Sequence, residues 1–362
     1  MEESEKLKLV PRIKHWLRKH RKTLLIASGV LAVCIGGVTT YVLLYPKPQK
    51  VAVVKVTKKT TPTVVQKYYS PLTGKEVASE AVTKQAVTAI MIENSPDARP
   101  QSGLKDSGIV FEAIAEGGIT RFLVLYQQEK PQLIGPVRSV RMYYVDWAAA
   151  FNASIAHIGG SAAALAEVRN GNYRDIDQFF NAGSYWRATD RYAPHNVYTS
   201  FEKLDVLNNA KGYTSSTFIG FTRTDGKASD KPTATGINVS ISSNLYNSSY
   251  IYDKTTNTYA RSLAGEPHND RESGQITPSV VIAMRVDETT TMEDGYRQSI
   301  STIGTGKAVI FQNGLAINAN WSKASKTDQI KFTDDSGKDI PLVRGQTWIS
   351  AVPNDGGDVT WQ

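Results

Sequence analysis

Three arginines, Arg121, Arg138 and Arg141, each lie near the predicted end of a strand or the predicted start of a helix. A guanidinium donates forked hydrogen bonds that fit a phosphate or a carboxylate, so three of them at one opening would bind an anion. Nearby, the segment HIGGS at 157–161 places two glycines and Ser161 before a predicted helix, where free backbone N–H groups could also face an anion. The sequence therefore predicts a polyanion site.

An alternative explains the same arginines without any ligand. They would then form internal salt bridges with Glu93, Glu112, Glu116 or Asp146, and Ser161 would cap a helix. Both explanations stay open from sequence. The candidates for ligand binding are Arg121, Arg138, Arg141, Ser161, His157, His195, Glu112 and Glu116.

Histidines and acids elsewhere in the chain raise the question of a metal. His157, His195, His268 and Asp270 include no pair at the i, i+3 or i, i+4 spacing that places two ligands on one face of a helix. The sequence shows no cofactor motif either. We therefore predict neither a metal nor a cofactor.

Neither a serine nor a pair of carboxylates stands in a clear catalytic pattern. Ser139 and Ser161 lack the GxSxG turn that exposes a nucleophilic serine. Glu112 and Glu116 could be the acid and base of a glycosidase, but their strand runs into Gly117-Gly118, which leaves their separation unfixed. Catalytic residues therefore stay unknown.

The basic charge of the chain is confined to its N-terminal part. The whole chain has a net charge of +8, of which residues 1–22 carry +5 and residues 46–67 carry +6, leaving −3 for residues 68–362. The globular part is therefore not basic, and we predict no binding to nucleic acid. The basic ends are better explained by lipid headgroups and anionic wall polymers.

Residues 23–45 form an uncharged, largely apolar run of 23 residues. At about 1.5 Å per residue, a helix of this length spans about 34 Å, enough for a bilayer core. No small-x-small cleavage site follows before Pro46, which favours an uncleaved signal anchor. Four Lys or Arg lie in the six positions before the run and two in the six after it, which predicts a cytoplasmic N-terminus and extracytoplasmic globular domains.

The single cysteine, Cys34, lies within this apolar run. The sequence LAVC at 31–34 is similar to a bacterial lipobox, but Val33 stands where lipoboxes have Gly, Ala or Ser, and apolar or small residues continue beyond Cys34. Lipidation of Cys34 therefore stays open. The exterior part has no cysteine, which excludes a disulfide, a cysteine nucleophile and a thiolate metal site there.

Composition divides the chain into six segments: a cytoplasmic basic tail (1–22), a transmembrane anchor (23–45), an extended basic linker (46–67), an N-terminal domain (68–224), an interdomain linker (225–236) and a C-terminal domain (237–362). The N-terminal domain combines strand-type runs with helix-type stretches, which indicates an α/β or α+β fold. Strand-type runs at 279–285, 307–312 and 347–352, with a type I′ hairpin signal at Asn313-Gly314, predict a mostly β C-terminal domain.

Ordered motifs along the exterior part resemble the YerB-like family. PLTG from 71, MIENSPDARPQSGL from 91, FEAIAEGGITRFL from 111, IGPVRSVRMYYVD from 134, HIGGS from 157 and APHNVY from 193 are similar to its N-terminal domain. YDKTTNTYAR from 252, EPHND from 266, GTGKAVIFQNG from 304 and GQTWISAVP from 345 are similar to its second domain. The resemblance implies a bacterial, extracytoplasmic, two-domain protein of unknown function. Typical members are lipoproteins.

A looser similarity is to the LytR-CpsA-Psr phosphotransferases, which use arginines to hold a polyprenyl pyrophosphate. This chain has Thr120-Arg121 and Arg138-Ser139 where that family has aspartates. We therefore expect a noncatalytic binder of an anionic or glycan envelope component, such as a polyprenyl phosphate, or of an envelope protein. The alternative is an enzyme, a phosphotransferase on polyprenyl-pyrophosphate-linked substrates or a glycan hydrolase on peptidoglycan.

Overall fold

A computed structural model describes residues 11, 13–44, 66–291 and 297–362. The chain divides into two units, Met1–Val64 and Val65–Gln362, and each is described by itself. In the first unit, helix α1 spans Arg21–Leu44, and its stretch Arg21–Tyr41, with a mean hydropathy of 1.9, is long and apolar enough to cross a membrane. The predicted tail (1–22) and linker (46–67) lie largely outside the described residues.

The N-terminal region of the second unit alternates strands with helices, so the α/β prediction is confirmed. Its strands are β1 (Tyr68–Tyr69), β2 (Glu76–Val77), β3 (Thr88–Glu93), β4 (Ile109–Glu116), β5 (Ile119–Tyr126), β6 (Ser154–Ala156), β7 (Arg174–Asp175), β8 (Tyr185–Arg187), β9 (Val197–Thr199) and β10 (Arg223–Thr224). Its helices are α2 (Glu80–Thr83), α3 (Met142–Ala149), α4 (Ala162–Val168) and α5 (Phe201–Ala210).

The C-terminal region is largely β, as its short apolar runs predict. Its strands are β11 (Gly236–Ser240), β12 (Ser248–Asp253), β13 (Thr258–Leu263), β14 (Glu266–Pro267), β15 (Asn269–Asp270), β16 (Gly274–Gln275), β17 (Val280–Val286), β18 (Glu288–Thr291), β19 (Arg297–Ile300), β20 (Gly304–Gln312), β21 (Leu315–Lys323), β22 (Lys331–Thr333), β23 (Leu342–Val343), β24 (Thr347–Pro353) and β25 (Asp358–Trp361). Asn313 and Gly314, with φ of 58° and 77°, join β20 to β21 as the predicted hairpin turn.

One 12-stranded sheet contains strands from both regions, with the order β22-β21-β20-β17-β24-β4-β5-β3-β6-β7, and β19 pairs with β4 and with β18. Strand β24 connects the regions because it pairs in parallel with β17 on one side and with β4 on the other. The polar segment 225–236 contacts the hairpin turn, where the N–H groups of Thr233 and Ala234 donate to the Gly314 carbonyl. Its role as a linker between two domains stays a prediction.

The central strands are buried on both faces, which explains their nearly continuous apolar sequences. Side chains such as Phe111 and Ala113 contribute to one core with helices α3 and α4. Side chains such as Val110 and Phe122 contribute to a second core with α5 and the five-stranded sheet β14-β13-β12-β11-β25. Both cores use residues of the second unit alone, so this unit buries its apolar surface without α1.

Candidate functional site

The carboxyl ends of the parallel strands β3 and β6 meet at one end of the sheet, beside the start of β5. Glu93, the last residue of β3, lies opposite Arg121 in the register of β3 with β5. The segment that contains Arg138 runs alongside β3 here, since the Arg138 N–H donates to the Met91 carbonyl at 2.9 Å. In open α/β sheets, ligands bind at this end of the strands.

Seven of the eight candidate residues lie at this sheet end, and we refer to them as the sheet-end cluster: Arg121, Arg138, Arg141, His157, Ser161, His195 and Glu116. The eighth, Glu112, points to the other face of the sheet. A β-bulge between Ile114 and Glu116 causes this separation, since it shifts the register by one residue and turns Glu116 toward Arg121.

Glu116 binds two buried arginines. Its Oε1 accepts from Arg121 Nη2 at 2.7 Å, and its Oε2 accepts from Arg141 Nη2 at 2.5 Å. Each guanidinium also donates to a backbone carbonyl, that of Ser139 for Arg121 and that of Val140 for Arg141. The internal ion pairs that the sequence left open are therefore present for these two arginines.

The pKa values of the two arginines shift in opposite directions. Burial disfavours the charged form of Arg121, but the Glu116 carboxylate, together with Tyr144 and Tyr143, raises the pKa of Arg121 above its ordinary value. Burial, followed by the neighbouring Arg121 guanidinium, lowers the pKa of Arg141 despite its contact with Glu116. Burial also opposes ionisation of Glu116, yet the two guanidiniums lower its pKa. One carboxylate thus compensates one of two guanidiniums, and an added anion would stabilise Arg141.

A cleft of about 180 Å³ opens beside Arg141, between the starts of α3 and α4 and strand β19. We refer to it as the α3 cleft. Two atoms of its buried lining residues, Arg141 Nε and Asp146 Oδ1, have no hydrogen-bond partner within the described part of the chain. The other oxygen of Asp146 accepts from Thr302 Oγ1 at 2.7 Å, and burial raises the pKa of this carboxyl. The cleft therefore offers a guanidinium donor and a carboxyl group to a ligand.

Helix α3 adds its N-terminus to this cleft. Arg141 is its N-cap residue and has extended backbone angles, but no side chain caps the first turn. The N–H groups of Met142 and Tyr143, both lining residues, are among those that have no intrahelical acceptor. They give this helix end a partial positive charge. Ser161 also lines the cleft, and its hydroxyl caps α4 by accepting from the Ala164 N–H at 3.4 Å.

Arg138 belongs to a second group at the sheet end, next to His195. Buried Glu93 accepts at Oε1 from Ser95 Oγ (3.0 Å), contacts His195 Nδ1 (2.9 Å) and lies 3.4 Å from Arg138 Nε. The side chains of Arg138 and His195 are 25% and 23% exposed. Neither Nη atom of Arg138 donates a hydrogen bond to any of the residues that the structure describes. The three arginines therefore do not share one opening.

His157 is fully buried and has structural partners. Its Nε2 lies 3.0 Å from Asp175 Oδ1, and its Nδ1 lies 2.8 Å from the Gly159 carbonyl. Asp177, which is close to the same ring, pairs with Arg169 at 2.5 Å. In residues 11, 13–44, 66–291 and 297–362, no three His, Cys, Asp or Glu side chains come together as a metal site would require.

Glu112 lies in a sealed network between the two regions. Its Oε2 accepts from Arg261 Nη2 at 2.9 Å and from Trp348 Nε1 at 3.0 Å, while Oε1 accepts from Thr120 Oγ1 at 3.3 Å. Glu112 and Arg261 are both fully buried. The structure thus separates Glu112 from the other candidates and leaves no opening for a ligand beside it.

Sequence reasoning missed part of the α3 cleft. The prediction named Arg141 and Ser161, but treated Asp146 as an ion-pair partner and did not include the 297–300 segment of β19. This strand reaches the cleft because the backbone of Arg297 pairs with that of Glu116 across the two regions. No local motif signals such a long-range contact.

Two family models match the chain. One, described as "Protein of unknown function (DUF3048) N-terminal domain", matches residues 72–214, and the corresponding C-terminal domain model matches residues 237–349. The first match contains the whole sheet-end cluster, and the second contains β19. The α3 cleft is thus built from both matched segments.

A curated relative in Bacillus subtilis (strain 168), named "Putative lipoprotein YerB", is 32% identical over 302 residues, which cover 82% of this chain and 90% of the relative. The crystal structure of the YerB protein from Bacillus subtilis superposes with a TM-score of 0.73 at 31% identity, covering 81% of this chain and 99% of that chain. The solved chain thus lacks an equivalent of about a fifth of this one. Together with the self-contained cores, this indicates that residues 66–362 fold as a separate fragment.

Proposed function

The chain belongs to the YerB-like family of proteins of unknown function, whose members have DUF3048 N- and C-terminal domains, and we propose that it is a noncatalytic binder of an anionic group. The observation that carries this proposal is Arg141, a lining residue of the α3 cleft whose buried Nε has no hydrogen-bond partner among the described residues. A buried donor left unsatisfied costs stability, and a ligand oxygen would remove that cost.

The size of the α3 cleft restricts what enters it. A volume of about 180 Å³ is below the roughly 300–1,000 Å³ of sites that enclose a drug-sized ligand, so it suits a single chemical group. Arg141 and the start of α3 favour an acceptor oxygen with negative charge. Asp146 favours a hydroxyl on the same group. A phosphate monoester, which carries both at mildly acidic pH, fits these requirements as the headgroup of an envelope component.

Binding of methyl phosphate to the 66–362 fragment tests this proposal by calorimetry. Arg141→Gln removes a charge-assisted hydrogen bond and should weaken binding about tenfold or more. Arg271→Gln is the matched control, because Arg271 forms a 2.5 Å ion pair with Asp190 elsewhere on the surface. It should leave the affinity unchanged. Equal affinity of the wild-type and Arg141→Gln fragments, or no binding by the wild type, would exclude the site.

A second candidate function, an enzyme on polyprenyl-pyrophosphate-linked or peptidoglycan substrates, is favoured by the contact of Glu93 with His195. The carboxylate lies 2.9 Å from Nδ1, an arrangement that orients an imidazole for general base catalysis at Nε2. Phosphate release from a polyprenyl pyrophosphate, lost in His195→Gln, would support this candidate. Absence of turnover under conditions in which methyl phosphate binds would leave the noncatalytic role.

Helix α1 supports a location at the cell membrane, and we propose that the globular part lies outside. We expect an uncleaved, single-pass anchor with a cytoplasmic N-terminus, because basic residues are denser before the apolar run than directly after it. Protease added to intact spheroplasts should then remove the 66–362 region. Full protection would mean the opposite orientation.

The relative's printed name, a lipoprotein, bears on Cys34. An uncleaved signal anchor needs no acyl chain to remain in the membrane. Palmitate labelling that is lost in Cys34→Ala, together with a mature chain that begins at Cys34, would mean that a lipid, and not an uncleaved helix, attaches the protein to the membrane. A full-length, unlabelled chain is the outcome that we expect.

A further inference from the structure

A second, larger cavity lies at the other side of the β19–β20 connection. It has a volume of about 830 Å³ and lies between the three strands at one edge of the sheet, β20, β21 and β22, and the segment 219–222. Its apolar lining includes Phe221, Ile330, Phe332 and Ile340. Two further lining residues, Ile219 and Ile303, are 82% and 45% exposed at its rim. Isoleucines so exposed at the rim of an apolar cavity are typical of a binding surface.

The cavity and the α3 cleft lie on opposite sides of one short segment of chain. Ser299 and Ile300 line the α3 cleft, whereas Ile303 and Gly304 line the cavity. Between them, Thr302 donates to Asp146, the acid of the cleft. Only Ser301 and Thr302 separate the residues that line the polar space from those that line the cavity.

The buried cation of the cavity does not provide an anion site. Lys323 Nζ donates to the carbonyls of Ser325, Lys326 and Asp328 at 2.6, 2.6 and 2.7 Å, which uses all three of its hydrogens. Burial lowers the pKa of Lys323 to about 8, because a charged ammonium group is poorly solvated there. The anionic group of a ligand would thus bind in the α3 cleft and leave the cavity to apolar atoms.

We infer that the cavity binds the hydrocarbon chain of an anionic amphiphile whose headgroup occupies the α3 cleft. The headgroup part rests on the proposed function. A hydrocarbon chain fits the apolar part of the lining, which includes Phe221, Ile330 and Phe332 and would leave the backbone N–H and C=O groups of a peptide unpaired. The same protein carries a helix able to cross a membrane, where molecules with such chains are concentrated.

A series of alkyl phosphates tests this inference on the 66–362 fragment. Methyl, butyl, hexyl and octyl phosphate share one headgroup and differ in chain length, and all can be studied below micelle-forming concentrations. Each methylene that enters the cavity should tighten binding by about fourfold until the cavity is filled. An affinity that does not change with chain length would overturn the inference.

Substitutions at the rim locate the chain. Ile303→Asn should weaken octyl phosphate binding about tenfold or more and leave methyl phosphate binding unchanged, because only the longer ligand reaches the cavity. Ile251→Asn is the control, since Ile251 is 63% exposed on β12 and is not among the lining residues. Equal effects of the two substitutions would overturn the inference, as the chain would then bind elsewhere.

The two proposals can fail separately. If Arg141→Gln leaves the affinity for both ligands unchanged while Ile303→Asn weakens octyl phosphate alone, the cavity binds a chain but the α3 cleft does not bind the headgroup. If Arg141→Gln weakens both ligands and Ile303→Asn weakens neither, the headgroup site is correct and the hydrocarbon site is wrong.

Discussion

Strand β4 carries two glutamates, Glu112 and Glu116, and each binds a buried arginine, but only one of the two networks is complete. Glu112 has one guanidinium for its one carboxylate, and both of its oxygens accept hydrogen bonds. Glu116 holds two guanidiniums, and the Nε atoms of both lack partners in the described ranges. Both networks contain glutamate and arginine, so charge balance and hydrogen-bond satisfaction distinguish a scaffold from a binding site more clearly than residue type does.

The Glu112 network extends through the interior to both regions. Arg261 donates through Nε to His268 Nδ1 at 2.9 Å and through Nη1 to the Tyr250 hydroxyl. Its guanidinium lies 4.2 Å from the ring centroid of Trp348. Burial, followed by the positive charge of Arg261, lowers the pKa of His268, so this ring stays neutral and accepts from the guanidinium. Each of the three nitrogens of the Arg261 guanidinium thus has an acceptor.

The largest effect should follow from breaking this complete network. Arg261→Gln leaves the Glu112 carboxylate buried without its counter-charge, and the free energy of unfolding should fall by about 3–5 kcal/mol. Urea denaturation of the 66–362 fragment measures this change. A loss below about 1 kcal/mol would mean that the Glu112 network contributes no more than an exposed ion pair.

The sequence predicts most elements of this comparison but not their arrangement. The apolar runs locate β4, β5 and helix α3, because each buries a continuous or periodic set of side chains. The spacing of Glu112 and Glu116 by four residues would place both on one face of a regular strand. The bulge before Glu116 instead places the two side chains on opposite faces. A bulge depends on how the strand pairs with β5 rather than on local sequence.

The same limit applies to the α3 cleft. Arg141 and Ser161 could be predicted because they precede helices in a segment rich in arginine and glycine. The wall formed by β19 could not, since it comes from the C-terminal region through a single backbone pairing. Likewise, Arg138 pairs with Glu93 rather than with Glu116. This choice depends on the side of the sheet end to which these side chains point.

Anion binding beside the Glu116 network should depend on the charge of the α3 cleft. Asp146→Asn keeps an acceptor for Thr302 but removes a carboxyl whose pKa burial raises. At pH above the second pKa of phosphate, about 6, the phosphate is a dianion, which the ionised form of Asp146 repels. The substitution should therefore tighten methyl phosphate binding about fivefold at neutral pH, equivalent to ~1 kcal/mol of repulsion in water-like surroundings.

The pH dependence of binding checks this explanation. Wild-type affinity should fall as pH rises through the range in which phosphate and Asp146 lose their protons, and the Asp146→Asn fragment should show a weaker decrease. Calorimetric titrations between about pH 5 and pH 8 provide both curves. An unchanged affinity in Asp146→Asn at every pH would place the anion away from this carboxyl.

A smaller effect concerns the hairpin beside the cleft. Glu288 lies on β18, next to β19, and burial raises its pKa to about 7. Its contribution to stability is therefore complete below the unfolded value of about 4.5 and is lost as pH rises through 7. The difference in unfolding temperature between Glu288→Gln and the wild type should be roughly 2–4 °C more favourable to the variant above pH 7 than at pH 5. Glu202 on α5 is exposed, so Glu202→Gln is the control. Its effect on the unfolding temperature should be the same at both pH values.

The most direct test of the contrast between the two networks is the free energy of unfolding of Arg141→Gln, measured by urea denaturation with and without methyl phosphate. Without ligand, the variant should stay within about 1.5 kcal/mol of wild type, because Glu116 keeps Arg121 as its partner. At a ligand concentration of about 100 times the wild-type Kd, the wild type should gain ~2.7 kcal/mol, and the variant, with its affinity weakened tenfold or more, ~1.4 kcal/mol or less. A loss of about 3–5 kcal/mol without ligand, and no gain for the wild type with ligand, would make the Glu116 network a scaffold like that of Glu112.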